Sequence, residues 1–345
     1  MADPVAAVAV DTWDAQGVRL GDIVGALADL RHQSVGKSAV RTAVMTLVAV
    51  LPTDEQAYAA TRALRALGRH HPARIVLLRP DPDQVATLDG RAALYAVEAD
   101  GHQVTFEEVT LVVGGQAANH LDSLVEAFTL SDLPVPVWYV GGTPQPTDPL
   151  LAVATALIID SRDAAGSGQL RTLLELARRR TVVDLSWIRL QPWRELLAAL
   201  FQPPESRAWL QSVQRVEVSG KIGPRQILSG WLVAQLHLMP HQVRLIDARH
   251  VEIRIECRRD DQTATFEVGR GDRHRTVSAR AVLPPARGAQ ASTRGHSGPS
   301  VAFNGSLSIP LAEDPLATSL AEALTHLEPD AIWERALSAA SGLSA

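Results

Sequence analysis

Four short stretches carry residue types that phosphate chemistry uses. Gly36-Lys37-Ser38 matches the tail of a phosphate-binding loop. The full motif needs a glycine five residues before Gly36, where Arg31 stands, and a strand ahead of it, where the pattern is helical. A turn between helix and strand accounts for these residues. Gly114-Gly115 and Gly141-Gly142 are paired glycines after predicted strands. Such pairs bring backbone N–H groups near a phosphate, and tight turns demand them equally. Asp160-Ser161-Arg162 closes a strand, where α/β proteins place their ligands. Gly141, Gly142, Ser161 and Arg162 are therefore the candidate anion contacts.

Acid–base and metal chemistry find less. Glu107 and Glu108 are adjacent on a predicted strand, so their carboxylates face opposite sides and form no acid/base pair. His70-His71 precede Pro72, a common way to stop a helix. His237 and His241 are four apart, but Pro240 breaks the helix that would align them on one metal. No G-x-S-x-G nucleophile turn occurs. No catalytic residue, metal ligand or cofactor is assigned.

The most distinctive stretch is DLSWIRLQPWRELLAALFQPP, residues 184–204, followed by Trp209. Tryptophans gather here in a chain with five phenylalanines and three tyrosines. Pro192 suits a first helical turn, and Trp193, Leu196, Leu197 and Leu200 then share one apolar stripe. Packing explains Trp193. Tryptophan and arginine are also the residues that dominate interface hot spots. Trp187, Arg189, Trp193 and Arg194 are thus candidate partner contacts, with Trp138 and Tyr139 next. Of these, Trp187 and the two arginines are the better placed to meet a partner.

Bulk properties narrow the partners. The 345 residues allow about two domains, and 46% hydrophobic with 21% charged residues is ordinary globular composition. A net charge of −5 and a pI near 6.1 argue against nucleic acid. No apolar run approaches the ~18 residues that a membrane span needs. The N-terminal MADPVAAVAVDTWD lacks the basic start of a signal peptide. With one cysteine, Cys257, no internal disulfide is possible, and a reduced cytoplasmic setting fits.

The elements that must position these residues read as follows. Arg19 to His32 is an amphipathic helix. RTAVMTLVAVLP and ARIVLLRP are buried strands around a helix capped by Thr53 or Asp54, which makes a βαβ unit. Two alternating runs flank Asp100-Gly101, a hairpin turn. Gln116 to Phe128 is helical, LPVPVWYVGG and TALIIDSR are strands, and Gln169 to Arg180 is a helix whose closing arginines suit its dipole. Past QPPESRAW the pattern changes to short alternating strands around PRQILSGWLVAQL, a helix. The expectation is an α/β domain over 1–205, its sheet mixed but mostly parallel and flanked by helices. An antiparallel α+β domain over 206–283 follows. A Gly/Pro/Ser/Ala-rich loop at 284–302 leads to a C-terminal strand and helices over 303–345.

Several of these segments, in order, resemble one family. RTAVMTLVAV (41–50), HPARIVLLRP (71–80), LSDLPVPVWYVGG (130–142), ALIIDSR (156–162) and DLSWIRLQPWRELLAALF (184–201) are similar to the glucose-6-phosphate dehydrogenase assembly protein OpcA family in its actinobacterial form. The resemblance covers about half of the chain, and the last segment is its most specific part. It implies a non-catalytic partner of glucose-6-phosphate dehydrogenase that promotes the assembly or activation of that enzyme. Such a protein would serve the oxidative pentose phosphate pathway and its NADPH supply. The cyanobacterial branch is linked to thiol control, which a lone Cys257 allows only through an intermolecular disulfide. The residues alone leave open a second class, a sugar-phosphate- or nucleotide-binding α/β enzyme using the glycine pairs and Asp160-Ser161-Arg162.

Overall fold

The computed structural model describes residues 7–33, 40–41, 43–51, 54–67, 71–99, 102–163, 166–271, 275–284 and 307–343. Gly36-Lys37-Ser38, Thr53, His70, the Asp100-Gly101 turn and the 284–302 loop beyond residue 284 lie outside them. The described residues form two compact units. One draws on 1–163, 175–185 and 316–329, the other on 164–174, 186–315 and 330–345.

The first unit is built on a nine-stranded sheet. In chain order its elements are β1 (Val8–Ala15), α1 (Leu20–Gln33), β2 (Val40–Arg41), β3 (Thr46–Val50), α2 (Asp54–Leu67), β4 (Arg74–Asp81), β5 (Leu88–Ala99), β6 (His102–Gly114), α3 (Leu121–Glu126), β7 (Pro136–Tyr139) and β8 (Ala156–Ile159). After α4 (Ser167–Ala177) comes β9 (Val182–Asp184). The strands lie in the order β1-β5-β6-β4-β3-β7-β8-β9, with β2 also beside β6. All neighbours pair in parallel except β1 with β5 and β5 with β6. The sheet is mixed and mostly parallel, as expected, and β3-α2-β4 is the predicted βαβ unit. Its central strands are buried on both faces: Leu47, Val48, Ala49, Ile75, Val76, Leu77 and Leu78 are each at most 3% exposed. That is why they read as continuous apolar runs rather than alternating ones.

Three features of this unit depart from the sequence reading. β1 and β9 were not anticipated, and the helix expected over 116–128 is a 3₁₀ turn, Gly115–Asn119, then α3, broken at His120. The paired carboxylates do face opposite sides. Glu107 on one face binds Arg31 of α1, Nε to Oε1 at 2.5 Å and Nη2 to Oε2 at 2.7 Å, and Arg74 at 2.8 Å. Glu108 on the other face takes two bonds from Arg65 of α2, at 3.0 and 2.7 Å. Helices on both faces are thus pinned to one strand by charge as well as by packing. Burial alone would raise the Glu107 carboxyl, but the two guanidiniums outweigh it and hold it below its ordinary range.

The second unit takes in α5 (Leu185–Arg189) from its second residue onward. It contains α6 (Gln191–Leu200), α7 (Pro204–Arg207), β10 (Val213–Gly220), α8 (Ile222–Leu236), β11 (Val243–Asp247), β12 (Glu252–Arg259), β13 (Gln262–Arg270), β14 (Thr276–Val282) and β15 (Leu307–Pro310). Of the last two helices, α9 (Pro315–Thr325) falls almost wholly in the first unit and α10 (Ala331–Ser341) in the second. The sheet runs β11-β10-β12-β13-β14-β15. It is antiparallel but for β10 and β11, which are parallel because α8 carries the chain back between them. The expected antiparallel sheet is therefore mixed by one pair. Its inner face, Val216, Val218, Ile253, Ile255, Cys257, Phe266, Val268 and Val277, packs on the stripe of α6 and on Leu228 and Leu232 of α8 in one core. The outer face is polar, and in one register row Arg244, Glu217, Arg254, Glu267 and Arg280 alternate in charge across five strands.

Candidate functional site

The tryptophan segment folds as two short helices that meet at Leu190. α5 ends at Arg189, and α6 starts with Pro192 in its first turn, where a missing N–H costs nothing. The predicted stripe is the observed one: Trp193, Leu196, Leu197 and Leu200 are buried. The Trp193 indole donates from Nε1 to the Val251 carbonyl at 3.0 Å, and the Arg270 guanidinium lies 5.7 Å from its ring centroid. Glu195 turns to water, where it accepts from Gln191 at 2.7 Å one turn earlier.

Trp187 is also interior, at 4% exposure, so the expectation that it faces a partner is not met in this structure. Its ring is clamped. The Arg194 guanidinium stacks on one face 3.4 Å from the centroid, and Nη2 donates to the Trp187 carbonyl at 3.1 Å. Its Nε1 donates to Asp330 Oδ2 at 2.7 Å. The other oxygen of Asp330 caps α10, accepting from Ile332 and Trp333 N–H at 2.8 and 3.0 Å. Arg194, Trp187, Asp330 and the start of α10 thus form one chain of contacts. It couples the segment to a helix 143 residues away in sequence. Nothing local signals this, which is why sequence reasoning missed Asp330.

The surface left for a partner is narrower than the sequence suggested. Arg189 and Arg194 are half-buried, and Gln191 and Glu195 are exposed beside them. Trp138 and Tyr139, at 2% and 7% exposure, are the buried end of β7. Burial, with the Asp148 carboxylate near it, pushes the Tyr139 phenol well above its ordinary range. They support the sheet and do not present themselves to a partner.

The anion candidates lie at strand ends of the first unit. β7 stands where the strand order turns back, since β4, β6, β5 and β1 lie on one side of β3 and β7, β8 and β9 on the other. Gly141, just after β7, has φ of 70°, and a Cβ there would fall 2.1 Å from Gln56 Nε2, so glycine is required. Gly142 has open space around it. Gly114 is pressed against the Val85 carbonyl, 2.2 Å from an added Cβ, so that pair packs on a turn. After β8, Ser161 N–H donates to the buried Asp184 Oδ1 at 3.0 Å, and Arg162 N–H to Asp160 Oδ1 at 3.0 Å. The Ser161 hydroxyl is 1% exposed and finds no hydrogen-bond partner among the described residues. Gly141-Gly142 and Ser161-Arg162 sit after different strands, β7 and β8.

His237 ends α8 in the left-handed conformation, φ 53°, and His241 sits in a separate turn. Among the described residues no three His, Cys, Asp or Glu side chains group as metal ligands. No described helix is long and apolar enough to cross a membrane. Cys257 is fully buried in β12, and burial pushes its thiol up to about 12.

Fold and site together define a two-unit α/β protein whose most distinctive segment is a braced pair of helices. Residues 64–178 match the family model described as glucose-6-phosphate dehydrogenase subunit N-terminal domain, and residues 180–337 match the C-terminal domain of the same subunit. The chain belongs to this family, the OpcA proteins. Three curated cyanobacterial proteins, each named "Putative OxPP cycle protein OpcA", are similar. The Synechocystis sp. protein is 27% identical over 184 residues, 49% of this chain and 38% of the relative. The Synechococcus elongatus protein is 28% identical over 218 residues, 59% and 48%. The Nostoc punctiforme protein is 28% identical over 182 residues, 49% and 39%. The matched part of the chain spans less than half the length of each of these relatives.

Proposed function

We propose that this chain is a non-catalytic activator and assembly factor that binds glucose-6-phosphate dehydrogenase and favours its active state in the oxidative pentose phosphate pathway. The observation that carries the reading is the pair of family matches. Both halves of a domain arrangement described as a subunit of that enzyme occur in order over residues 64–337. The names of the cyanobacterial relatives point to the same pathway. An acidic chain whose described helices include none able to cross a membrane supports a cytoplasmic protein with a protein partner.

An activator must bind the active form of its partner more tightly than the inactive one, since equal binding shifts nothing. A tenfold shift in substrate affinity needs only about 1.4 kcal/mol of coupling, which a modest interface supplies. The contact is assigned to the outer side of α5 and α6, with Arg189 and Arg194 carrying it and Trp187 and Trp193 bracing them from beneath. Trp138 and Tyr139 support β7. Replacing Arg189 with Ala leaves the core untouched and is expected to weaken co-elution with the enzyme about tenfold. Unchanged co-elution and activation with that variant would remove this segment from the interface.

A further inference from the structure

β1 is an edge strand without most of the usual guards. It closes one end of the nine-stranded sheet and pairs only with β5. At eight residues it is longer than the other strands at the ends of the two sheets, β9, β11 and β15, which have three, five and four. Proteins blunt such edges with lysine, proline, brevity or a bulge. VAVDTWDA holds no lysine and no proline. Its one bulge, at Val10, leaves residues 11–15 in regular register with residues 90–94 of β5. None of its side chains is buried, and Val8 and Val10 are 65% and 38% exposed. The Thr12 N–H is held by the Asp11 carboxylate at 2.9 Å, exposed to water, so the outward donor is met by a side chain and not by a strand.

The residues of the regular part decide what can pair with it. In an antiparallel ladder, residues that turn N–H and C=O outward alternate with residues that turn them inward. Two copies of one strand therefore face each other only in registers centred on a residue. Centring on Asp11 or Asp14 sets like charges opposite each other, which destabilises the pair. Centring on Thr12 sets Trp13 against Asp11, and centring on Ala15 runs past the strand end. Centring on Trp13 sets Trp13 against Trp13, Thr12 against Asp14 and Asp11 against Ala15. That register gives an aromatic pair and a hydroxyl–carboxylate pair, with no opposed carboxylates. Thr12 and Asp14 of the two copies then exchange about four main-chain hydrogen bonds. Trp13 stands opposite Ala92, on the face that Gly90 turns toward Ile23 of α1, so the two indoles meet on the α1 side. Asp14 stands opposite Arg91 of β5, which offsets part of the negative charge on β1.

We propose that β1 pairs with β1 of a second copy of this chain, antiparallel and in register about Trp13, so that two sheets join into one across a two-fold axis. The contact is isologous: each copy offers the same strand, and each Thr12 meets the other copy's Asp14. The self-complementary charge pattern of residues 11–15 is what selects a second copy as the occupant of this edge. The contact lies wholly in the first unit, away from α5 and α6, and does not depend on the enzyme-partner reading.

The test is sedimentation velocity of the full chain over about 1–300 μM, the range in which a small interface dissociates. A reversible monomer–dimer equilibrium is expected. Thr12→Pro removes an outward N–H, which an edge strand tolerates. It should fold as the parent does by circular dichroism and weaken dimerisation about tenfold or more. Single cysteines read the register, since the native Cys257 is buried. Under mild oxidation Trp13→Cys should give a covalent dimer, because its two sulfurs face each other across the axis. Asp11→Cys should not, because a stagger of four residues holds its two copies about 14 Å apart. A monomer at every concentration, a dimer that Thr12→Pro leaves unchanged, or crosslinking of Asp11→Cys as fast as that of Trp13→Cys overturns the proposal.

Discussion

The clamp on Trp187 makes a prediction that separates bracing from docking. Trp187→Phe keeps an aromatic ring under Arg194 but removes the indole N–H that reaches Asp330 at 2.7 Å. A buried hydrogen bond to a carboxylate is worth about 1.5–3 kcal/mol, and the weaker cation–π contact of phenylalanine loses about 0.5 kcal/mol more. The variant should therefore unfold about 2–3.5 kcal/mol more easily. Asp330→Asn retains a capping oxygen for α10, because asparagine caps as well as aspartate, but loses the charge that strengthens the indole bond. Urea denaturation of the parent, both single variants and the double variant gives the coupling. It should be about 1 kcal/mol or more, whereas additivity within about 0.5 kcal/mol would mean that the indole–carboxylate bond does not operate in solution. The same proteins test the role of the ring. Assayed where they are fully folded, Trp187→Phe and the parent should act equally on the enzyme. A loss of activation with stability intact would place the tryptophan in the interface and refute the bracing assignment.

Other expected outcomes concern the rest of the framework. Glu107→Gln leaves Arg74, which is largely buried, without its counter-charge and should cost about 3 kcal/mol at neutral pH by thermal or urea unfolding. Because the Glu107 carboxyl is held below its ordinary range, its stabilisation is complete above the unfolded value near 4.5 and is lost as pH falls through the lower folded value. The variant should thus show a shallower acid limb below about pH 4.5 than the parent. Gly230→Ala puts a Cβ 2.0 Å from the Ala336 carbonyl of α10. Overpacking of about 1–3 kcal/mol should outweigh the ~1 kcal/mol gain in helix propensity, lowering the urea midpoint. Cys257 should resist alkylation in the native chain at neutral pH and react fully once unfolded. Rapid native labelling would contradict its burial.

How much was legible in the sequence depended on how local the signal was. The α6 stripe came straight from residues three and four apart, and the buried strands β3 and β4 from apolar runs ended by proline. Every strand from β10 to β14 showed as alternation, since one face of that sheet meets a core and the other meets water. β9, three residues long, is too short to carry a period, and β1 lies at a sheet edge with little buried to mark it. The parallel pairing of β10 and β11 was implied by the intervening helix but was masked by the alternation around it. At the site, the helices and the buried Trp193 were legible. The burial of Trp187 was not, because it is set by Asp330 and by Arg194 folding back across the turn. Glu107 and Glu108 were correctly separated by strand geometry, but their arginine partners come from three different elements and left no mark in spacing.

The most direct test of the central claim is a steady-state assay of glucose-6-phosphate dehydrogenase from the same organism, with this chain titrated in and substrate concentration varied. The account predicts a saturable rise in activity together with co-elution of the two proteins. Unchanged kinetics at every concentration, with no co-elution, would contradict it.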